Sequence, residues 1–213
     1  MSPSAPTTTT TSISSVTLEV PDVTAAQAFY DAAFGLGPVL GLRASDAPSS
    51  GFRGCTLSLV VSQPGTVDAL VGSALAAGAS ELKATRKSFW GYGGVLRAPD
   101  GAIWKIATSA KKDSGPATRE VDEFVLLLGV SDIAATKAFY VDHGLAVAKS
   151  FARKYVQFDT GPAVTLALYG RRALAKEAGV DAEGSGSPRI VIASDAGAFT
   201  DPDGFAWESA PDA

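Results

Sequence analysis

The feature that most constrains this chain is an internal repeat. Leu18-Glu19-Val20-Pro21-Asp22-Val23-Thr24-Ala25-Ala26-Gln27-Ala28-Phe29-Tyr30 recurs as Leu128-Gly129-Val130-Ser131-Asp132-Ile133-Ala134-Ala135-Thr136-Lys137-Ala138-Phe139-Tyr140, at an offset of 110 with seven of the thirteen positions identical. A second pair closes each copy: Pro99-Asp100-Gly101-Ala102-Ile103-Trp104-Lys105 against Pro202-Asp203-Gly204-Phe205-Ala206-Trp207-Glu208, at an offset of 103. The 213 residues are therefore two copies of one unit, long enough to bury a sizeable core.

Hydrophobic periodicity sets the elements within each copy. Ser15 to Val20 alternates polar and apolar residues and reads as a half-buried strand. Asp22 stands at an N-cap position, and Val23, Ala26, Phe29 and Tyr30 follow at helical spacing until Gly35 ends the helix. Val39 to Arg43 and Cys55 to Ser62 read as strands, Asp68 to Ala77 as a helix stopped by Gly78, and Glu81 to Ala107 as two or three strands with a turn at Asp100-Gly101. The second copy repeats the opening with a strand at Phe124 to Val130 and a helix at Ile133 to Asp142. Strands follow through Val147 to Phe158 and Val164 to Tyr169, then a short helix at Arg172 to Ala178 and a strand at Arg189 to Ala193, with no room for a second long helix. The expected organisation is a polar Thr-rich tail at 1–12, units at 13–107 and 120–210, the second shortened, and a polar linker at 108–119. Residues 181–188 read as a further loop.

Charge and composition exclude several classes. The net charge of −4 offers no basic field to a phosphate backbone, so neither nucleic acid nor an anionic membrane is an expected partner. No apolar run approaches the roughly 20 residues of a membrane span. The N-terminus lacks the basic and apolar regions of a signal peptide, and the expected compartment is the cytoplasm. One cysteine, Cys55, and one histidine, His143, leave thiolate and imidazole metal sites with too few ligands. His143, just before Gly144, is placed to cap a helix C-terminus, and Cys55 reads as a small buried hydrophobe.

A strand followed by V-x-D-x-x-x-A-x-x-F-Y, closing about 80 residues later on P-D-G-x-x-W-[K/E], resembles the vicinal oxygen chelate superfamily, which groups glyoxalase I, bleomycin resistance proteins and extradiol dioxygenases. The resemblance covers residues 13–209. It implies an α+β fold of paired βαβββ modules whose mixed sheets form cups, arranged as two tandem glyoxalase-like domains. The family's metal-ligand positions fall on Ser15, about Thr56 and Lys105 in the first copy, and on Val125, about Pro188 and Glu208 in the second. Only Glu208 could bind a cation, so the expectation is a fold and a cup with no metal and no cofactor.

Alternation along the first strand separates Ser15, Thr17 and Glu19 from Val16, Leu18 and Val20, and the polar set is expected to face the cup. The resemblance implies that Lys105 faces the same side, where it could meet Glu19 as an acid–base pair. In the second copy Val125, Leu127 and Gly129 replace the polar set, so that cup is expected to be greasy, with Glu208 at its edge. Trp90 and Tyr92 beside flexible glycines, with Phe52, Arg53 and Arg97 in neighbouring segments, suit a planar or anionic small molecule. The expected ligand contacts are therefore Ser15, Thr17, Phe52, Arg53, Thr56, Trp90, Tyr92, Arg97 and Glu208.

Three readings follow. The first is a metal-free glyoxalase or bleomycin-resistance type protein that binds a small organic molecule. The second is an enzyme: a metal-independent lyase or isomerase using Glu19 and Lys105, or a metal-dependent glyoxalase or dioxygenase. The third is a structural protein whose cups are packed shut. Either a monomer or a homodimer is compatible with tandem copies.

Overall fold

The computed structural model describes residues 11–152 and 154–210. Fifteen strands and four α-helices are present among them. The chain opens with β1 (Ile13–Val20), α1 (Val23–Ala33), β2 (Leu40–Ala44) and a short β3 (Ser49–Gly51). A complete βαβββ unit follows: β4 (Cys55–Val60), α2 (Pro64–Ala76), β5 (Ser80–Ser88), β6 (Gly91–Arg97) and β7 (Ile103–Thr108). The second copy begins with another complete unit, β8 (Glu123–Val130), α3 (Ile133–Asp142), β9 (Ala146–Phe151), β10 (Tyr155–Asp159) and β11 (Thr165–Gly170). It ends with α4 (Arg171–Ala178), β12 (Gly184–Gly186), β13 (Ile190–Ser194), β14 (Phe199–Thr200) and β15 (Ala206–Ser209).

Local chemistry explains the element ends. Asp22 and Asp132 cap α1 and α3, each carboxylate accepting backbone N–H bonds of the first turn at 2.8 to 3.2 Å. His143 closes α3 as expected: its Nδ1 lies 2.7 Å from the Phe139 carbonyl, and its ring packs between Phe139 and Phe199. Helix α2 begins four residues before the expected start because Pro64 supplies a preset first helical position.

The sheets do not divide at the linker. An eight-stranded sheet runs β5-β6-β7-β4-β8-β11-β10-β9 and takes four strands from each copy, joined by the antiparallel β4–β8 pair. A five-stranded sheet, β14-β15-β13-β1-β2, joins the two copies again through β13–β1. The second copy does lack a helix between β13 and β14, as expected, and the first copy is abbreviated too, since α1 leads to β2, parallel to β1, through no intervening strand. Residues 184–186, within the stretch read as a loop from the sequence, pair with 49–51 as the β3–β12 ribbon. Gly51 has φ +67, and a Cβ there would stand 2.4 Å from the Glu183 carbonyl oxygen, so the ribbon requires glycine.

The core lies between the sheets and α1, α2 and α3. Leu57, Leu59, Trp104, Ile106, Leu126, Leu128, Leu166 and Leu168 face it from the large sheet, and Val16, Leu18, Val20, Ile192 and Trp207 from the small one. Both repeat-equivalent tryptophans are fully enclosed. Each packs on the tyrosine of its helix: Tyr30 on Trp104 at 5.5 Å and Tyr140 on Trp207 at 5.1 Å. Thr11 is buried and donates to the Gly144 carbonyl, so the end of the Thr-rich stretch is docked, while residues 1–10 lie outside the described ones. The linker is tethered: Gln63 binds Ser114, Gly115 and Pro116, and Arg119 donates to the carbonyls of Ala32 and Ala33 at the end of α1.

Candidate functional site

Strand alternation places Ser15, Thr17 and Glu19 on the face of the small sheet turned away from the core, as expected. The register aligns Glu19 with Arg43, and Ser15 with Ala193, which in turn stands beside Glu208. Arg43 reaches across this face to Glu208 in a bidentate pair, both contacts at 2.7 Å. That pairing lowers the Glu208 carboxyl below the usual carboxylate range and raises the Arg43 guanidinium. Glu19 accepts from the Ser187 hydroxyl at 3.4 Å.

This face does not fit a divalent ion at the positions that the resemblance implies. A guanidinium occupies both oxygens of Glu208, the one carboxylate left in the ligand pattern, and its fixed positive charge opposes a cation there. Among the described residues no three His, Cys, Asp or Glu side chains come together.

Lys105 lies on the other sheet and does not meet Glu19. It stands on the face of the large sheet turned away from α2 and α3, beside Ser58 and Val95. Its partner is Glu177 of α4, and the two side chains keep 36% and 38% exposure. Helix α4 covers this face by packing on β8, β11 and β4. Leu174, Ala175 and Ala178 join Phe52, Val95 and Ile103 in a second apolar cluster. Gly129 makes the approach feasible, since a Cβ there would lie 3.1 Å from the Arg171 backbone. Lys83 donates to the carbonyls of Lys176 and Glu177 at 2.8 and 2.6 Å and so closes the C-terminal end of α4. Thr56 and Leu127, adjacent in the β4–β8 register, share the covered face, and Thr56 is buried. The greasy set Val125, Leu127 and Gly129 thus belongs to the same sheet as Lys105, and one segment of the chain itself fills part of the expected cup.

Three of the expected ligand contacts do converge. Phe52, Arg53 and Arg97 line a cavity of about 350 Å³ at the rim of the large sheet, under the β3–β12 ribbon. Leu18, Cys55, Leu57, Ala102 and Ile103 make its apolar lining, and Asp181 and Glu183 bring acceptors from the segment after α4. Leu57 and Ile103 point to opposite faces of the sheet, so the cavity is at the rim and not inside a cup. Arg53 donates to the Asp100 carbonyl at 2.6 Å, and neither Arg53 nor Arg97 forms an ion pair among the described residues. Phe52 is held from behind by the Arg171 guanidinium, 5.2 Å from its ring centroid. Burial pushes the Cys55 thiol up to about 12, so this wall is neutral and unreactive at physiological pH.

Trp90 and Tyr92 do not reach this cavity. Trp90 is at the tip of the β5–β6 hairpin and points to solvent, while the Tyr92 hydroxyl donates to Asp68 of α2 at 2.8 Å. Their proximity to Phe52 in the expected layout fails because the hairpin runs from Arg97 at the cavity to Trp90 at its far end, the length of a strand away. Sequence reasoning missed Asp181, Glu183, Arg43 and Glu177. Only Arg43 carried a local signal, as the polar member of an apolar strand.

Comparison with solved structures gives the architecture a precedent. Glyoxalase I from Zea mays superposes with a TM-score of 0.61 at 15% identity, covering 93% of this chain and 91% of that one. A candidate dioxygenase from Bacillus subtilis superposes with a TM-score of 0.58 at 11% identity, covering 94% and 86%. No family model matches the chain. No curated protein matches it either. The chain thus shares its fold, built on paired βαβββ units, with glyoxalase I and with this candidate dioxygenase, as the two motif pairs implied.

Proposed function

We propose that this protein binds a small anionic organic molecule in the rim cavity without a metal. The observation that carries the reading is the placement of Arg53 and Arg97, two cations outside any ion pair among the described residues, on a partly apolar cavity. A volume of about 350 Å³ lies at the small end of the usual range for ligand sites. Guanidinium groups favour carboxylate or phosphate, and Asp181 and Glu183 add acceptors for hydroxyl or amino groups of the same molecule. The ligand class is thus a compact acid that also carries hydrogen-bond donors. Occupation of Glu208 by Arg43 supports metal independence. Use of Lys105 and Glu177 to hold α4 supports binding over acid–base turnover.

Isothermal titration against a panel of small hydroxy and amino acids and their phosphorylated counterparts tests the reading. A binder should lose at least tenfold in affinity in Arg97→Gln, since a hydrogen bond to a charged group contributes about 1.5–3 kcal/mol. Binding that ignores both Arg97→Gln and Arg53→Lys, or that requires an added divalent ion, would overturn the proposal.

A further inference from the structure

The β5–β6 hairpin carries two rings at its tip. Phe89 and Trp90 are 79% and 83% exposed and meet edge to face at 5.0 Å. Neither packs on the core, in contrast to Trp104 and Trp207. Four cations surround the pair. The Lys111 ammonium lies 5.8 Å from the Phe89 centroid, Arg86 and Lys87 stand opposite Gly93 and Tyr92 at the end of β5, and Lys112 follows Lys111. All four are exposed, and none forms an ion pair among the described residues. Two carboxylates lie nearby, Asp68, which accepts from the Tyr92 hydroxyl, and Asp113, which accepts from the Gly65 backbone N–H at 2.6 Å, and the four cations outnumber them.

We propose that this tip docks the protein on an anionic lipid surface. Phe89 and Trp90 enter the interfacial zone, where aromatic rings settle among the headgroups, and Arg86, Lys87, Lys111 and Lys112 pair with lipid phosphates. The chain's net charge of −4 does not oppose this, because charges farther than a Debye length of about 8 Å are screened and the local cluster is basic. A protruding apex also needs no matching groove in a bilayer, whereas a protein partner would have to supply one. The contact is peripheral, since no helix among the described residues is long and apolar enough to cross a membrane.

Trp90 reports on its own docking, because the other two tryptophans are already enclosed. With vesicles of phosphatidylcholine containing phosphatidylglycerol, tryptophan emission should shift to the blue and the protein should sediment with the lipid. Vesicles of phosphatidylcholine alone should give neither effect. Arg86→Gln with Lys87→Gln keeps Trp90 and should bind about thirtyfold more weakly, as expected for two surface cations lost from an anionic membrane. Phe89→Ser with Trp90→Ser should abolish sedimentation. No shift with anionic vesicles would overturn the proposal. So would a blue shift on concentrating the protein alone, which would mark the tip as a contact between copies.

Discussion

Arg43 and Glu208 are separated by 165 positions and share one bidentate contact on an open sheet face. Because the pair depresses the folded-state pKa of Glu208, its contribution to stability is present above the ordinary carboxylate pKa and is lost as pH falls through the lower folded value. The stability difference between the native chain and Glu208→Gln should therefore be constant near neutrality and vanish in acid, as measured by urea titration across pH. Both side chains are nearly half exposed, so the effect should be small and should shrink with added salt. The tyrosine hydroxyls of the repeated Phe-Tyr motif matter more. Tyr140 donates to buried Asp201 at 2.6 Å, and Tyr30 donates to Asp100 at the same distance. Burial, and then the facing carboxylate, push both phenols well above their ordinary range, so both stay protonated donors. Tyr140→Phe should cost about 1–3 kcal/mol in chemical denaturation, and Tyr30→Phe less, because Asp100 keeps more access to water. Cys55, with its thiol pushed up to about 12, should resist iodoacetamide in the native state and react once the chain is unfolded.

At the scale of elements, α4 decides what the large sheet can offer. Its apolar residues cover one face, Glu177 pairs with Lys105, and Arg171 donates to the carbonyls of Phe52 and Ala182. These ties also position Phe52 and the acidic segment at 181–183 against the rim cavity. Lys105→Met should raise amide hydrogen exchange across 171–178 while leaving α2 and α3 protected, since α4 is held from outside the main core. Gly51→Ala should break the β3–β12 ribbon and weaken ligand binding with little loss of global stability, since both strands are short and exposed at the surface.

At the scale of the whole molecule four units, β1 to β3, β4 to β7, β8 to β11 and β12 to β15, form a closed ring. Tyr30–Asp100 joins the first to the second, β4–β8 the second to the third, Tyr140–Asp201 the third to the fourth, and β13–β1 the fourth to the first. Two of these junctions, β4–β8 and β13–β1, cross between copies, and each sheet takes strands from both, so neither copy has a sheet of its own. Unfolding should be a single transition by both calorimetry and tryptophan fluorescence. Halves separated within the linker should co-purify when expressed together, and each alone should aggregate through its bare β4 or β8 edge.

The sequence by itself determined the repeat, the helix cap at Asp22, the division of the first strand into core and outward faces, and the burial of Cys55. All of these are set within a few residues, by side-chain chemistry and the periods of helix and strand. It also brought Phe52, Arg53 and Arg97 to one place, because the repeated motifs fixed the fold that assembles them. Partners were decided only by tertiary structure. Glu19 and Lys105 look like a pair on one expected cup, yet pairing of β4 with β8 and β1 with β13 puts them on different sheets and gives them Ser187 and Glu177 instead. Trp90 likewise resembles a site residue until the hairpin register carries it to a free tip. Strand pairing between distant segments follows the summed burial of whole sheets and not any local pattern, and that choice determines which side chains meet.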